Sequence, residues 1–163
     1  NASASAAMVM INAIVTTPSI FGERCLGGEV CRPEDAVVIS RQAKYYRIHV
    51  NQFRDIMYQN SALCMQVLQY VGDRLSQTQT RLEAMVLKDA RTRVLDFLKA
   101  MVLKQGRKVG FEMLIKHHLT QQDIANITGT SRQTVTSVFN ELRKDNSIIF
   151  DRNYILVRNM QRL

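Results

Sequence analysis

Apolar and polar positions change their period along this chain. In the first fifty residues the apolar stretches are short and separated by turn signals. Met8 to Val15 is β-prone, Thr17-Pro18-Ser19 is a break, and Gly22, Gly27 and Gly28 punctuate a loop. Arg32-Pro33-Glu34-Asp35 predicts a turn before a strand over Ala36 to Ile39, and Tyr45 to Val50 predicts one more. From Asn51 the period becomes helical, first around Phe53, Ile56 and Met57 and then through a longer segment from Ser61. There Leu68, Leu75 and Leu82 recur every seven residues, with Val71, Thr78 and Met85 three positions behind them. This is the a/d spacing of a coiled coil. It fits self-pairing or a helix lying on its own domain's core. Gln69, Asp73, Arg74, Gln77 and Arg81 flank a narrow seam that needs a second surface, and a symmetric partner supplies one.

Val94, Leu95, Phe97, Leu98, Met101 and Val102 predict another helix that stops before Gly106. Met113-Leu114-Ile115 suits a short strand after the flexible point at Gly110. Thr120 is placed to cap a helix from Gln121, with Asp123 in its first turn, Ile124, Ala125 and Ile127 on its apolar face, and Gly129 at its end. Thr130 and Gln133 repeat the capping arrangement before Val135, Val138, Phe139 and Leu142, so two short helices flank a tight turn. Asp145-Asn146-Ser147, Ile148-Ile149-Phe150, Asp151-Arg152-Asn153 and Tyr154 to Val157 then read as turn, strand, turn and strand.

Charge adds a bias toward acidic partners: 22 Lys plus Arg against 14 Asp plus Glu give +8. Residues 105–163 hold 9 basic and 5 acidic side chains, a denser excess than the rest carries. Apolar residues at 46% predict a folded chain, and no stretch is long and apolar enough to predict a membrane span. Asn1 to Ala7 lacks the cationic start of a signal peptide and is left out of the fold. Three cysteines, Cys25, Cys31 and Cys64, with no Cys-x-x-Cys pair, predict a reducing, cytoplasmic setting.

On the second short helix, Ser131, Arg132, Gln133, Thr134, Thr136 and Ser137 lie largely off the core stripe. Such a helix start fits the major groove of double-stranded DNA, with Arg132 and Gln133 at base edges. Thr120, Ser131, Thr134 and Thr136 are assigned to phosphates, and Arg152, at the tip of the strand pair, to a neighbouring phosphate. The alternative is an ordinary helix pair with a solvated polar face, and equally a tip arginine that only faces water.

The runs Leu119-Thr120-Gln121-Gln122-Asp123-Ile124-Ala125 and Thr128-Gly129-Thr130-Ser131-Arg132-Gln133-Thr134-Val135, with the Leu142 to Val157 hairpin, resemble the Crp/Fnr family of bacterial transcription regulators. The resemblance implies an α+β fold: a cyclic-nucleotide-binding-like β-roll, here only its second half, then a long dimerisation helix and a C-terminal winged helix. It implies a homodimer reading a palindromic promoter, with RNA polymerase as a further partner. The corresponding divisions are 1–60, 61–87 and 88–163, with Leu68, Val71, Leu75, Thr78, Leu82 and Met85 at the dimer interface. Such regulators normally have a fuller β-roll, so a truncated form is expected. The family often carries another Arg near the position of Ser137, so a familiar operator does not transfer intact.

Phe21-Gly22-Glu23 resembles the start of the family's ligand-phosphate cassette, which makes Gly22 and Glu23 a degenerate effector site, or Glu23 a structural turn residue. The expected Arg-Ser or Arg-Thr pair is replaced near Pro33-Glu34-Asp35-Ala36, which disfavours a cyclic nucleotide. The cysteine set falls short of the four ligands of an iron–sulfur cluster, and His49 alone is a weak case for haem or metal. His117 and His118 supply no zinc motif, so no metal is expected and the effector is left open. No nucleotide loop, serine elbow or gathered carboxylate pair marks an enzyme. The rival to the regulator is a helical oligomerisation or protein-interaction module that does not bind DNA specifically.

Overall fold

The computed structural model describes residues 11, 13–15, 19–28, 34–40, 42–160 and 163. Met8 to Met10, Thr17-Pro18, Cys31 and Arg32-Pro33 lie outside the described residues. The chain divides into two compact units, residues 15–83 and residues 84–163 with 1–14, the latter described only at 11, 13 and 14.

The first unit holds a short 3-10 turn, Glu23–Gly27, then helix α1, Val50–Gln59, and most of helix α2, Ser61–Leu87. The strands expected over Ala36 to Ile39 and Tyr45 to Val50 are not formed. Residues 36–39 and 45–49 are non-helical and exposed, and Val50 opens α1 instead. A strand needs a ladder partner, and none pairs with them among the described residues. His49 makes the helix start: its Nδ1 accepts the Asn51 N–H at 3.3 Å.

Helix α2 turns one face inward on its own unit. Val67 is buried, the Tyr70 hydroxyl donates to the Ile20 carbonyl, and Arg74 Nε lies 3.3 Å from a Glu23 carboxylate oxygen. From α1, Arg54 Nη2 donates to the carbonyls of Cys25 and Leu26, both at 3.1 Å. The heptad row lies one residue round from that face and stays in solvent: Leu68 is 62% exposed, Val71 40%, Leu75 59% and Leu82 63%.

The second unit contains the end of α2, helix α3 (Ala90–Gln105), strands β1 (Arg107–Val109) and β2 (Glu112–Lys116), helices α4 (Gln121–Thr128) and α5 (Arg132–Lys144), and strands β3 (Ile148–Phe150) and β4 (Tyr154–Val157). Asp89 starts α3 by accepting the Thr92 N–H at 2.7 Å, and α3 packs on α4, α5 and β2. Its buried residues, Val94, Leu95, Leu98, Met101 and Val102, join Ile124 and Ala125 of α4 and Val135, Val138, Phe139 and Leu142 of α5 in one core. Gly106 does end α3, though with φ −67 rather than the left-handed turn common at that place. A Cβ there would lie 2.4 Å from the Val102 carbonyl oxygen, so close approach is what requires the glycine.

The sheet is antiparallel in the order β1-β2-β4-β3. Ile155 of β4 pairs with Ile115 on one side and Phe150 on the other. Ile115, Ile148, Ile155 and Val157 are buried, closing the sheet over the helices. Phe150 meets Phe139 edge-on at 5.1 Å, and the Arg143 guanidinium lies 5.5 Å from the Phe150 ring, which joins the β3–β4 hairpin to α5. The α+β class with a C-terminal winged helix is as expected.

Candidate nucleic-acid interface

Helix α4 begins with a complete capping box. The Asp123 N–H donates to Thr120 Oγ1 at 3.1 Å, and the Thr120 N–H donates to Asp123 Oδ2 at 2.8 Å. Gly129 ends the helix with φ 62, a left-handed conformation in which a Cβ is strained. The cap of α5 is Ser131, one residue later than Thr130. The Thr130 N–H is drawn back to the Ala125 carbonyl to close α4, leaving Ser131 extended and accepting the Thr134 N–H at 3.0 Å.

Once Val135, Val138, Phe139 and Leu142 are buried, the other side of α5 is fixed. Arg132, Gln133 and Ser137 are exposed, and with Thr136 and Asn140 they line one shallow open depression. Asn140 was missed in the sequence, although it follows Arg132 and Thr136 at four-residue steps. Gln133, Thr136, Ser137 and Asn140 stand at i, i+3, i+4 and i+7, the spacing by which one helix face reads successive base edges.

The hydroxyls expected at phosphates differ in what they have left to donate. Thr120 Oγ1 donates to Asp123 Oδ2 at 2.8 Å, and Thr136 Oγ1 is 2.6 Å from Gln121 Oε1 and 2.9 Å from the Arg132 carbonyl. Both protons are therefore engaged inside the helix pair. Ser131 Oγ and Thr134 Oγ1 lie 2.9 Å apart, so one of their two protons bridges them and the other remains to donate outward. Gln121 is the second residue that the sequence did not point to, because its bond to Thr136 joins α4 to α5.

Arg152 is exposed at the tip of the β3–β4 hairpin, where the Asp151 carboxylate accepts the Arg152 N–H. The tip is tied to the approach to α4, since the His117 N–H donates to the Asn153 carbonyl at 3.0 Å. His117 in turn accepts the Leu119 N–H on Nδ1 at 3.1 Å, and its Nε2 is buried with no partner among the described residues. Burial pushes the His117 imidazole below its usual pKa, and His118 beside it adds to the effect.

That direction fixes the sign of a pH dependence. Above about pH 6.5 the ring is neutral in folded and unfolded chains alike; below it the unfolded chain takes the proton first. The unfolding midpoint should therefore fall as pH drops from about 7 toward 5. Asp89 and Glu141, whose carboxyls are held low by the Thr92 N–H and by Arg91, lose their contributions below about pH 5, outside that window. Thermal melts of His117→Gln should show a flatter slope across that interval. An unchanged slope would move the effect to another group.

Of the other expected site residues, Glu23 has its carboxylate on Arg74 with only 12% of the side chain exposed, and Gly22 (φ 82) precedes the 3-10 turn. Thr78 bonds back to the Arg74 carbonyl at 2.9 Å, so its methyl remains for the seam. Met85 is partly buried, and its Cε lies 3.1 Å from where a Gly129 Cβ would stand. Cys25 is partly buried and Cys64 exposed. Among the described residues no three His, Cys, Asp or Glu side chains gather at a metal-binding distance, and no helix is long and apolar enough to cross a membrane.

Residues 92–163 match the family model described as the Crp-like helix-turn-helix domain. Those residues carry a Crp-like helix-turn-helix domain. The chain is 27% identical over 133 residues to the lactate racemization regulatory protein of Lactiplantibacillus plantarum, covering 81% of the chain and 60% of that protein. It is 23% identical over 150 residues to the CRP-like cAMP-activated global transcriptional regulator of Mycobacterium tuberculosis, covering 92% of the chain and 66% of the relative. It thus spans less than two thirds of either curated relative. A CooA mutant from Carboxydothermus hydrogenoformans superposes with a TM-score of 0.65 at 27% identity, over 69% of this chain and 52% of that one. FixK2 from Bradyrhizobium japonicum gives 0.63 at 18% identity, over 71% and 57%, and bears on the fold alone.

Proposed function

We propose that this chain is the dimerising and DNA-reading part of a transcription regulator. The observation that carries the reading is the stripe of exposed Arg132, Gln133 and Ser137 with half-buried Thr136 and Asn140, on a helix whose opposite side is locked into a Crp-like domain. In this reading Arg132 bonds guanine O6 and N7, while Gln133 and Asn140 each suit adenine N6 and N7. The Ser131–Thr134 pair and Arg152 take phosphates on either side. Thr120 and Thr136 serve the backbone through the helix starts and frame they hold, because their hydroxyl protons are engaged within the protein.

The exposed row Leu68, Val71, Leu75 and Leu82 is the homodimer seam, continued by the Thr78 methyl, with Met85 at its end. Two copies joined there present two recognition helices to half-sites about one DNA turn, roughly 34 Å, apart. The division into a sensor-like part (1–60), a dimerisation helix (61–87) and a DNA-binding domain (88–163) belongs to the same proposal. A cyclic nucleotide is not assigned to Gly22 and Glu23, because the carboxylate that would receive a sugar hydroxyl is held by Arg74.

Selection of bound sequences from a random duplex library tests the whole reading at once. A recovered palindrome with half-sites about ten base pairs apart is the expected result. Binding without any enriched sequence, or enrichment of one undivided site, would overturn it.

A further inference from the structure

A single guanidinium serves the ends of two helices. Arg93, on the first turn of α3, donates from Nη1 to the Lys88 carbonyl at 2.7 Å, immediately after α2. Its Nε donates to the Thr128 carbonyl and its Nη2 to the Gly129 carbonyl, both at 2.9 Å, at the end of α4. Carbonyls at helix C-termini have no intrahelical partner and carry the negative end of the helix dipole, so one cation satisfies both ends. Met85 closes over the same turn from the last part of α2, with its Cε 3.1 Å from the Cβ position of Gly129. The turn braced in this way leads directly into Ser131 and Arg132.

We infer that Arg93 is a positioning residue for DNA reading: its fork fixes the α4–α5 turn to the end of the dimerisation helix and so sets the half-site spacing that the dimer accepts. The inference rests on the DNA-binding and dimer readings above. Three donors in one rigid plane define an orientation, whereas a lysine ammonium is a point charge on a flexible stem and defines none. Adding one base pair between half-sites turns one of them by about 35° about the DNA axis, and a loosened turn tolerates that rotation better. Base reading within each half-site uses residues on α5 that Arg93 does not touch, so half-site sequence and half-site spacing separate.

The experiment compares the wild-type chain with Arg93→Lys and Arg93→Gln on duplexes that carry the selected palindrome and differ only by one base pair added or removed at its centre. Wild type is expected to discriminate on the order of tenfold against either altered spacer. In both variants that ratio should fall toward about twofold while the selected half-site sequence stays the same, with Arg93→Gln the more relaxed. Undiminished spacing discrimination in the two variants would overturn the inference. So would loss of half-site sequence preference together with cooperative unfolding, which would make Arg93 a stability residue only. If the wild-type chain itself selects no palindrome, the DNA-binding reading fails first, and the inference falls with it.

Discussion

Arg132→Ala is expected to abolish the specific DNA shift while the dimer and its melting behaviour persist. Arg132 is the first residue of α5 and is exposed, so its removal leaves no cavity and unpairs no buried group. The α5 cap is made by Ser131 and Thr134, and the helix is held by Val135, Val138, Phe139 and Leu142, none of which the substitution changes. What is lost is a planar fork that can hold O6 and N7 of one guanine. A bidentate contact of that kind is worth about 1–3 kcal/mol, and a dimer uses two, giving about 2–6 kcal/mol. That corresponds to a loss on the order of 30- to 10⁴-fold in specific affinity. Nonspecific binding should fall far less, because it rests on the remaining cations. Mobility-shift titrations at fixed salt read both quantities, and an unchanged specific shift would remove Arg132 from the base-reading set.

The second large effect is on assembly. Leu75 lies near the middle of the exposed row and is 59% exposed in the single chain, so Leu75→Glu should cost the isolated fold little. In a symmetric dimer it would place two carboxylates across the seam where two leucines had been buried. A fully buried leucine contributes about 1.5–3 kcal/mol, so two contribute about 3–6 kcal/mol before any charge repulsion is counted. Light scattering at micromolar concentration should therefore change from dimer to monomer. Operator affinity should fall with it, since each half-site is then bound alone. A variant that remains dimeric would mean that copies pair through another surface.

The parts of this molecule legible in its sequence are those decided by neighbours in the chain. The Thr120–Asp123 box, the Gly129 stop and the 148–157 hairpin each depend on residues a few positions apart, and the structure has them where their residue types point. The Ser131 cap was displaced by one residue because Thr130 is claimed by the end of α4, a competition between two elements. The strands expected near Val37 and Tyr46 had the right composition, but pairing depends on partners distant in sequence. On α2 the heptad row was plain, whereas the inward face made by Val67, Tyr70 and Arg74 has too few apolar residues to stand out.

Within the candidate site, Arg132, Gln133 and Ser137 are exposed as their places off the core stripe implied. The use of the hydroxyls was not legible, because a threonine pattern does not say that Thr136 meets Gln121 across 15 positions of sequence. Arg93 was hidden for the same reason. Its partners Thr128 and Gly129 lie 35 and 36 positions away, and nothing local separates it from any other arginine on a helix.

The strand order carries a consequence for how the domain is made. β4, which lies between β2 and β3, is the last of the four strands to leave the ribosome. Until Val157 has emerged, β2 and β3 have an open lane between them, and Ile115 and Ile148 lack the neighbour that covers them. The C-terminal domain therefore completes its sheet only once β4 has emerged, in one closing step. During the seconds before that step the nascent chain exposes two unpaired strand edges, the interval in which a chaperone would matter most.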